Sequence, residues 1–329
     1  MNAPAPLFTL AELEAAAELV HGAVPATPQY AWPRLAKRMG CEVWVKHENH
    51  TPTGAFKVRG GVVYMAGLKR AGARAKGVIS ATRGNHGQSI SFSAARAGIP
   101  ATIYVPNGNS LDQNAAMRAF GATVVEFGKD FDEARAQAAR VAQERDLHFI
   151  PPFHRDLVVG VATYALELFR AVSDLHAIYV PIGMGSGVCG LITVRDLLGL
   201  KTEIVAVVAR NAPAMALSFE AGRPVFTNSA RTFADGMATR EPLQEALTII
   251  KRGAARVVQL GEDEIAEAVR IYFQDTHHVA EGAGAAPLAG LMQERARMAG
   301  KKIGVILSGG NMDAPAYRTI LAGKTPIMG

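Results

Sequence analysis

From Val43 onward, short runs dense in Val and Ile alternate with longer segments whose apolar residues recur every three or four positions. The first pattern predicts strands and the second amphipathic helices. Strands are predicted at residues 42–48, 77–80, 101–105, 123–126, 148–150, 177–180, 204–208 and 303–307. Helices are predicted from about 57 to 68 and at 85–97, 110–119, 130–143, 160–171, 188–197 and 262–277. Strands nearly continuous in Val and Ile, separated by helices, imply parallel sheets covered on both faces, an α/β fold. Pro151-Pro152 interrupts the pattern. The expected division is a larger lobe of residues 1–68 and 154–329 and a smaller one of 69–153.

A chain of 329 residues, 49% hydrophobic, is long enough for two lobes with their own cores. The formal charge of +6 is interspersed with acidic residues and suits a small anionic ligand. No basic run interleaved with aromatics points to nucleic acid. Cys41 and Cys189 are too few for a disulfide framework. The stretch from Met1 to Val20 lacks a basic start and carries Glu12, Glu14 and Glu18 on a helical pattern, unlike a targeting signal. No segment has the uncharged length of a membrane span. A cytoplasmic protein is expected.

Candidate chemistry gathers where strands end. The octapeptide Thr53-Gly54-Ala55-Phe56-Lys57-Val58-Arg59-Gly60 follows one strand and opens a helix, placing Lys57 near its first turn. A lysine whose surroundings lower its pKa is a nucleophilic amine, able to capture a carbonyl cofactor as a Schiff base. Three glycine-rich turns follow other strands: Thr82-Arg83-Gly84-Asn85-His86-Gly87, Gly183-Met184-Gly185-Ser186-Gly187 and Ser308-Gly309-Gly310-Asn311. Each offers backbone N–H groups to a carboxylate or phosphate. One such loop alone fits a nucleotide site or a plain tight turn equally well. A nicotinamide site on the Gly183 loop would want an acidic residue about twenty positions on, and Glu203 lies near that distance.

Taken together, Lys46-x-Glu48, the octapeptide, the Gly-Asn-His-Gly-Gln turn, the loop after Val180 and the terminal Ser-Gly-Gly-Asn resemble fold-type-II pyridoxal-phosphate enzymes. The resemblance runs from about Pro25 to Asp313 and is nearest to the threonine/serine dehydratases and serine racemases, including dehydratases of phenylserine and of hydroxyectoine utilisation. It implies a two-lobed, tryptophan-synthase-β-like fold, pyridoxal 5'-phosphate as cofactor, a small amino-acid substrate and a homodimer. Lys57 would carry the coenzyme and later act as base at Cα. Phe56 would pack against its ring, Asn85 would bond the ring hydroxyl, and Ser308 would meet the pyridine nitrogen. Gly183, Met184, Gly185, Ser186 and Gly187 would cradle the phosphate, and Gly236 would line the cleft. Thr82, Arg83, Gly84, Asn85 and His86 would receive the substrate carboxylate, with Arg135 reaching in from the smaller lobe. The implied reaction is loss of water from a β-hydroxy-α-amino acid, giving a 2-oxo acid and ammonia. The alternatives are a racemase of the serine racemase type and a β-replacement enzyme of the cysteine synthase type.

Departures from the family pattern carry information. Racemases of the family place a serine, their second acid/base, where Arg83 stands, and a guanidinium does not give up its proton. Arg83 therefore reads as a binder of a substrate carboxylate or polar tail, or as an outward turn residue. Where relatives carry a metal-binding glutamate this chain has Ala209, followed by Arg210, so no metal is expected there. His277-His278 reads as polar helix-end residues rather than ligands, and Glu281 as a helix-start carboxylate or a group near the cofactor. Gly160-Val161-Ala162-Thr163 departs from the dehydratase pattern, which sets the expectation of an altered pocket wall and a substrate other than plain threonine. The short run after Asp313 sets the expectation of no C-terminal regulatory domain.

Overall fold

The computed structural model describes residues 6–72 and 76–326, so the first five residues of the N-terminal stretch read above lie outside the described residues. Ten strands are described: β1 Gln29–Ala31, β2 Glu42–His47, β3 Val78–Ala81, β4 Ala101–Val105, β5 Thr123–Glu126, β6 His148–Phe149, β7 Ala177–Pro181, β8 Glu203–Ala209, β9 Arg256–Leu260 and β10 Lys302–Leu307. They form two sheets. One has the order β5-β4-β3-β6 and is wholly parallel. The other has the order β1-β2-β10-β7-β8-β9, parallel except for β1, which runs antiparallel to β2. β7 and β8 are buried almost along their length because helices cover both faces of their sheet.

β1 and β9 are absent from the sequence reading, and both are edge strands. β1 is three residues long and largely exposed; β9 mixes Arg256 and Gln259 into its apolar run and is only half-buried. Edge strands carry polar residues and blur the pattern that marks a central strand. The helix expected to begin at 160 begins at Arg155, capped by the His154 side chain, which accepts from Asp156 N–H at 3.1 Å.

The helix Lys57–Arg70 lies between the helices Asn85–Ala97 and Arg155–Ala171. The approach is too close for side chains: a Cβ on Gly160 would stand 2.4 Å from Arg59 O, and one on Gly61 2.5 Å from Ser89 Oγ. Beneath the start of this helix lies a buried ionic network. Arg59 bonds Glu48 (Nε–Oε2 2.7 Å) and Glu167 (Nη1–Oε1 2.6 Å), and Lys46 Nζ bonds Glu167 Oε2 at 2.6 Å. Thr163 Oγ1 accepts from Arg59 Nη1 at 3.0 Å. Two cations face two carboxylates, so the network is charge-balanced, and it fixes β2 to two helices.

Candidate active site

Because β10 lies between β2 and β7, the loops that follow His47, Leu307 and Pro181 meet at one edge of the larger sheet. The octapeptide is joined to the loop after β10 along its length. Phe56 N–H donates to Ser308 O (3.0 Å), Gly310 N–H to Gly54 O (2.9 Å), and Asn311 Nδ2 to Thr53 O (2.8 Å). Gly54 has φ +67°, and a Cβ there would stand 2.6 Å from Asn311 Oδ1. The helix then starts at Lys57, whose side chain lines a cavity of about 290 Å³.

Lys57 Nζ donates to Ser186 Oγ at 3.3 Å and stands 4.6 Å from the Phe56 ring centre. Burial pushes its pKa down to about 8, with the Glu281 carboxyl pulling the other way. Glu281 is itself pushed up to about 7 by burial, against the hydrogen bond it accepts from Asn85 Nδ2 at 2.7 Å. Asn85 Oδ1 in turn accepts from Asn311 Nδ2 at 2.8 Å, which holds the Asn85 amide in one orientation. Near neutral pH, Lys57 and Glu281 both sit close to their own midpoints, where either group can release or accept a proton.

Gly183, Met184, Gly185, Ser186 and Gly187 line the same cavity, as do Gly236 and Ser308. The helix Ser186–Leu197 opens here with Gly185 at φ +103° and no side chain capping its first N–H groups. Such a terminus attracts an anion through open donors and the helix dipole. A Cβ on Gly183 would stand 2.1 Å from Gly236 O, so the loop closes tightly on its neighbour. Tyr164 OH donates to Gly187 O at 3.0 Å from behind. An amine of lowered pKa, an uncapped helix terminus and a buried hydroxyl at Ser308 together fit pyridoxal phosphate: an aldehyde partner, a phosphate cradle and a neutral contact for a ring nitrogen.

Thr82, Arg83, Gly84, Asn85 and His86 line the same cavity. Thr82 Oγ1 accepts from Gly84 N–H (2.9 Å) and Gly87 N–H (3.2 Å), which folds the turn and leaves the N–H groups of Asn85 and His86 as the open donors at the start of the helix Asn85–Ala97. Burial and the Lys57 amine push the His86 pKa down to about 3, so its ring is neutral. Arg83 faces the cleft and pairs with Asp235 (Nη2–Oδ1 2.8 Å) on the far side.

The structure places Arg135 elsewhere than the sequence reading expects. It lines an adjoining cavity of about 440 Å³, held by Glu241 (2.8 Å) and Asp132 (3.3 Å), and does not line the cavity of Lys57. Residues 160–163 likewise do not line that cavity. They are buried in the helix Arg155–Ala171, packed on the helix of Lys57, so their departure from the dehydratase pattern says nothing about the pocket. Residues that do line it and escaped the sequence reading include Gln113, Phe131 and Met312. They come from helix starts and a loop with no local signal; only folding assembles them. Asp235 stood beside Gly236 in the sequence, and its charge opposite Arg83 is visible only in the structure.

The family described as pyridoxal-phosphate dependent enzyme matches residues 20–309. The L-threonine ammonia-lyase of Geobacter sulfurreducens is 36% identical over 288 residues, covering 87% of this chain and 71% of its own. The biosynthetic L-threonine dehydratase of Salmonella typhimurium is 33% identical over 304 residues, covering 92% of this chain. Against that protein the chain spans 59% of the relative's length. Among solved structures, a pyridoxal 5'-phosphate-dependent aspartate racemase superposes with a TM-score of 0.89 at 26% identity, covering 95% of this chain and 98% of that one. With the family model matching residues 20–309 and a cavity whose residues fit its coenzyme, the chain belongs to the pyridoxal-phosphate-dependent enzymes of fold type II.

Proposed function

We propose that the protein is an ammonia-lyase that removes water from a β-hydroxy-α-amino acid of the threonine/serine type, or one with a larger β-substituent, and releases a 2-oxo acid and ammonia. The observation that carries this reading is the asymmetry of the cavity lining. Lys57, near its own pKa, and Arg83, which holds its proton, line the same cavity, and the resemblance sets Arg83 at the position where the family's racemases carry their second acid/base.

The coenzyme, when bound, supplies an electron sink that stabilises negative charge at the substrate Cα. Lys57 Nζ is the group placed to take the Cα proton, with Ser186 Oγ and the Phe56 ring holding its position. The N–H groups of residues 183–187 would hold the phosphate, and the open N–H groups of Asn85 and His86 would receive the substrate carboxylate. Asn85 and Glu281 form one hydrogen-bonded unit that would face the ring hydroxyl. Ser308 presents a neutral hydroxyl to that wall rather than a carboxylate.

Residues 69–153 are proposed to act as the smaller domain that closes over substrate, while 1–68 and 154–329 carry the coenzyme. The support is that every strand of the four-stranded sheet falls within 69–153. No helix among the described residues is long and apolar enough to cross a membrane, in keeping with a proposed cytoplasmic location. A homodimer is proposed on the family resemblance.

A racemase reading draws on the aspartate racemase neighbour, and a β-replacement reading on the shared fold. One experiment separates all three. Holoenzyme is incubated with the stereoisomers of serine, threonine and phenylserine, and with an O-acylated serine with and without an added thiol nucleophile, and oxo acid, ammonia, replacement product and the opposite enantiomer are quantified. Equal amounts of oxo acid and ammonia are expected. An enantiomer formed without oxo acid makes the protein a racemase, and turnover that requires both an acylated leaving group and an added nucleophile makes it a β-replacement enzyme.

A further inference from the structure

Outside the cavity, three histidines from separate parts of the chain converge. His47 ends β2, His50 closes the short turn that follows, and His278 comes two residues after the helix Glu262–Thr276. One ring nitrogen from each lies within 4.8 Å of the others. The ring centres are 4.5 Å apart for His47 and His278, 4.9 Å for His50 and His278, and 5.2 Å for His47 and His50. None of the three lines the cavity of Lys57.

Two ring nitrogens at this point are poorly partnered. His47 is fully buried, and neither its Nδ1 nor His278 Nδ1 makes a hydrogen bond of good geometry, with the Asn49 side chain and the Thr276 backbone the groups beside them. Buried polar groups in a native protein are paired with protein, water or an ion. Imidazole nitrogens converging from three directions are the donor set of a borderline-soft divalent cation.

We propose that His47, His50 and His278 form a binding site for one zinc-class divalent transition-metal ion, separate from the catalytic cavity. In a tetrahedral site with Zn–N of about 2.0–2.1 Å, ligand nitrogens lie roughly 3.3 Å apart. His50, the exposed member, therefore closes in on binding. Trp32 opposes the ion. Its Nε1–H donates to His47 Nε2 at 3.0 Å, so the neutral ring carries its proton on Nδ1. Coordination through Nδ1 moves that proton to Nε2 and turns the indole N–H away. The bound ion ties the end of β2, and the turn leading to the octapeptide, to the segment that reaches Glu281 three residues after His278.

The test uses chelator-stripped holoenzyme titrated with Zn²⁺ by calorimetry and with Co²⁺ by visible absorption, alongside His50→Ala, His278→Ala and Trp32→Phe, each checked by circular dichroism. One ion per chain and the intense Co²⁺ bands of a tetrahedral site are expected. Each histidine substitution should weaken affinity by about tenfold or more, and Trp32→Phe should tighten it. The three-histidine site is overturned by a failure to bind equimolar metal, by affinity unmoved in both histidine variants, or by a Co²⁺ spectrum of octahedral type. An affinity of Trp32→Phe equal to or weaker than that of the unaltered protein removes His47 from the ligand set and overturns it equally.

Discussion

A lysine amine with a pKa of about 8 is uncharged in about a tenth of molecules at pH 7, against roughly one in a few thousand for an ordinary lysine. The cause is burial, and the Glu281 carboxyl moderates it. Since the fold lowers the pKa, the amine is charged below about 8 and free above it. The rate of coenzyme capture by the apoenzyme should therefore rise steeply up to that pH and level off beyond it. A rate still climbing at the pH where free lysine titrates would refute the lowered pKa. Glu281→Gln removes the negative charge that holds the amine's proton, so the midpoint of the capture profile should move to lower pH. It should also erase the titration near pH 7 that Glu281 contributes to kcat/KM. Lys57→Ala should remove the visible band of bound coenzyme and lower kcat by about 10²–10⁴-fold. Of these two groups the sequence showed Lys57 clearly, because its motif is local. Glu281 lies 224 positions away along the chain, and its closeness to Lys57 depends on β10 inserting between β2 and β7.

At the scale of elements, the helix that starts at Lys57 is anchored two residues later by Arg59, which is fully buried between Glu48 and Glu167. Arg59 and Lys46 draw the Glu167 pKa down to about 2 despite its burial. A carboxylate whose pKa is lower folded than unfolded stabilises the fold above its unfolded value and loses that contribution as pH falls through the folded one. Glu167→Gln should therefore cost about 3–5 kcal/mol at pH 7, because it leaves buried positive charge unpaired. The gap between the two proteins should narrow from about pH 4.5 toward pH 2. Denaturant melts at several pH values measure it, and a gap constant with pH would count against the ionic account. The sequence could not reveal this network. Lys46, Glu48, Arg59 and Glu167 look like surface residues in a chain read locally, and only the meeting of β2 with two helices makes them a buried set. Central strands were legible for the opposite reason: burial on both faces forces β7, β8 and β10 into unbroken apolar runs that any fold of this class would show.

For the whole molecule, one hydrophobic core surrounds the larger sheet and two smaller ones flank the four-stranded sheet. Polar bridges span the cleft between them. Arg83 reaches Asp235 (2.8 Å), Arg240 reaches Asp132 (2.5 Å) and Asp130 (3.1 Å), and Arg135 reaches Glu241 (2.8 Å). All are partly exposed, and such pairs contribute about 0–1 kcal/mol each and weaken with salt. In the proposed closure these weak bonds can break and re-form with each turnover, beside the apolar contact that joins Tyr64, Met65 and Leu68 to Ile90 and Ala94. Raising ionic strength should therefore raise KM more than it changes kcat. Arg240→Ala tests the same idea at one residue: KM should rise by no more than about fivefold, with thermal stability nearly unchanged because neither of its two partners belongs to a core. Arg135→Ala distinguishes two roles for a residue the sequence places on the substrate. If Arg135 only bridges, its substitution should match Arg240→Ala. If it grips the substrate carboxylate, removal should cost about 2–5 kcal/mol in kcat/KM. Its position in the adjoining cavity, held by two carboxylates, favours the smaller effect.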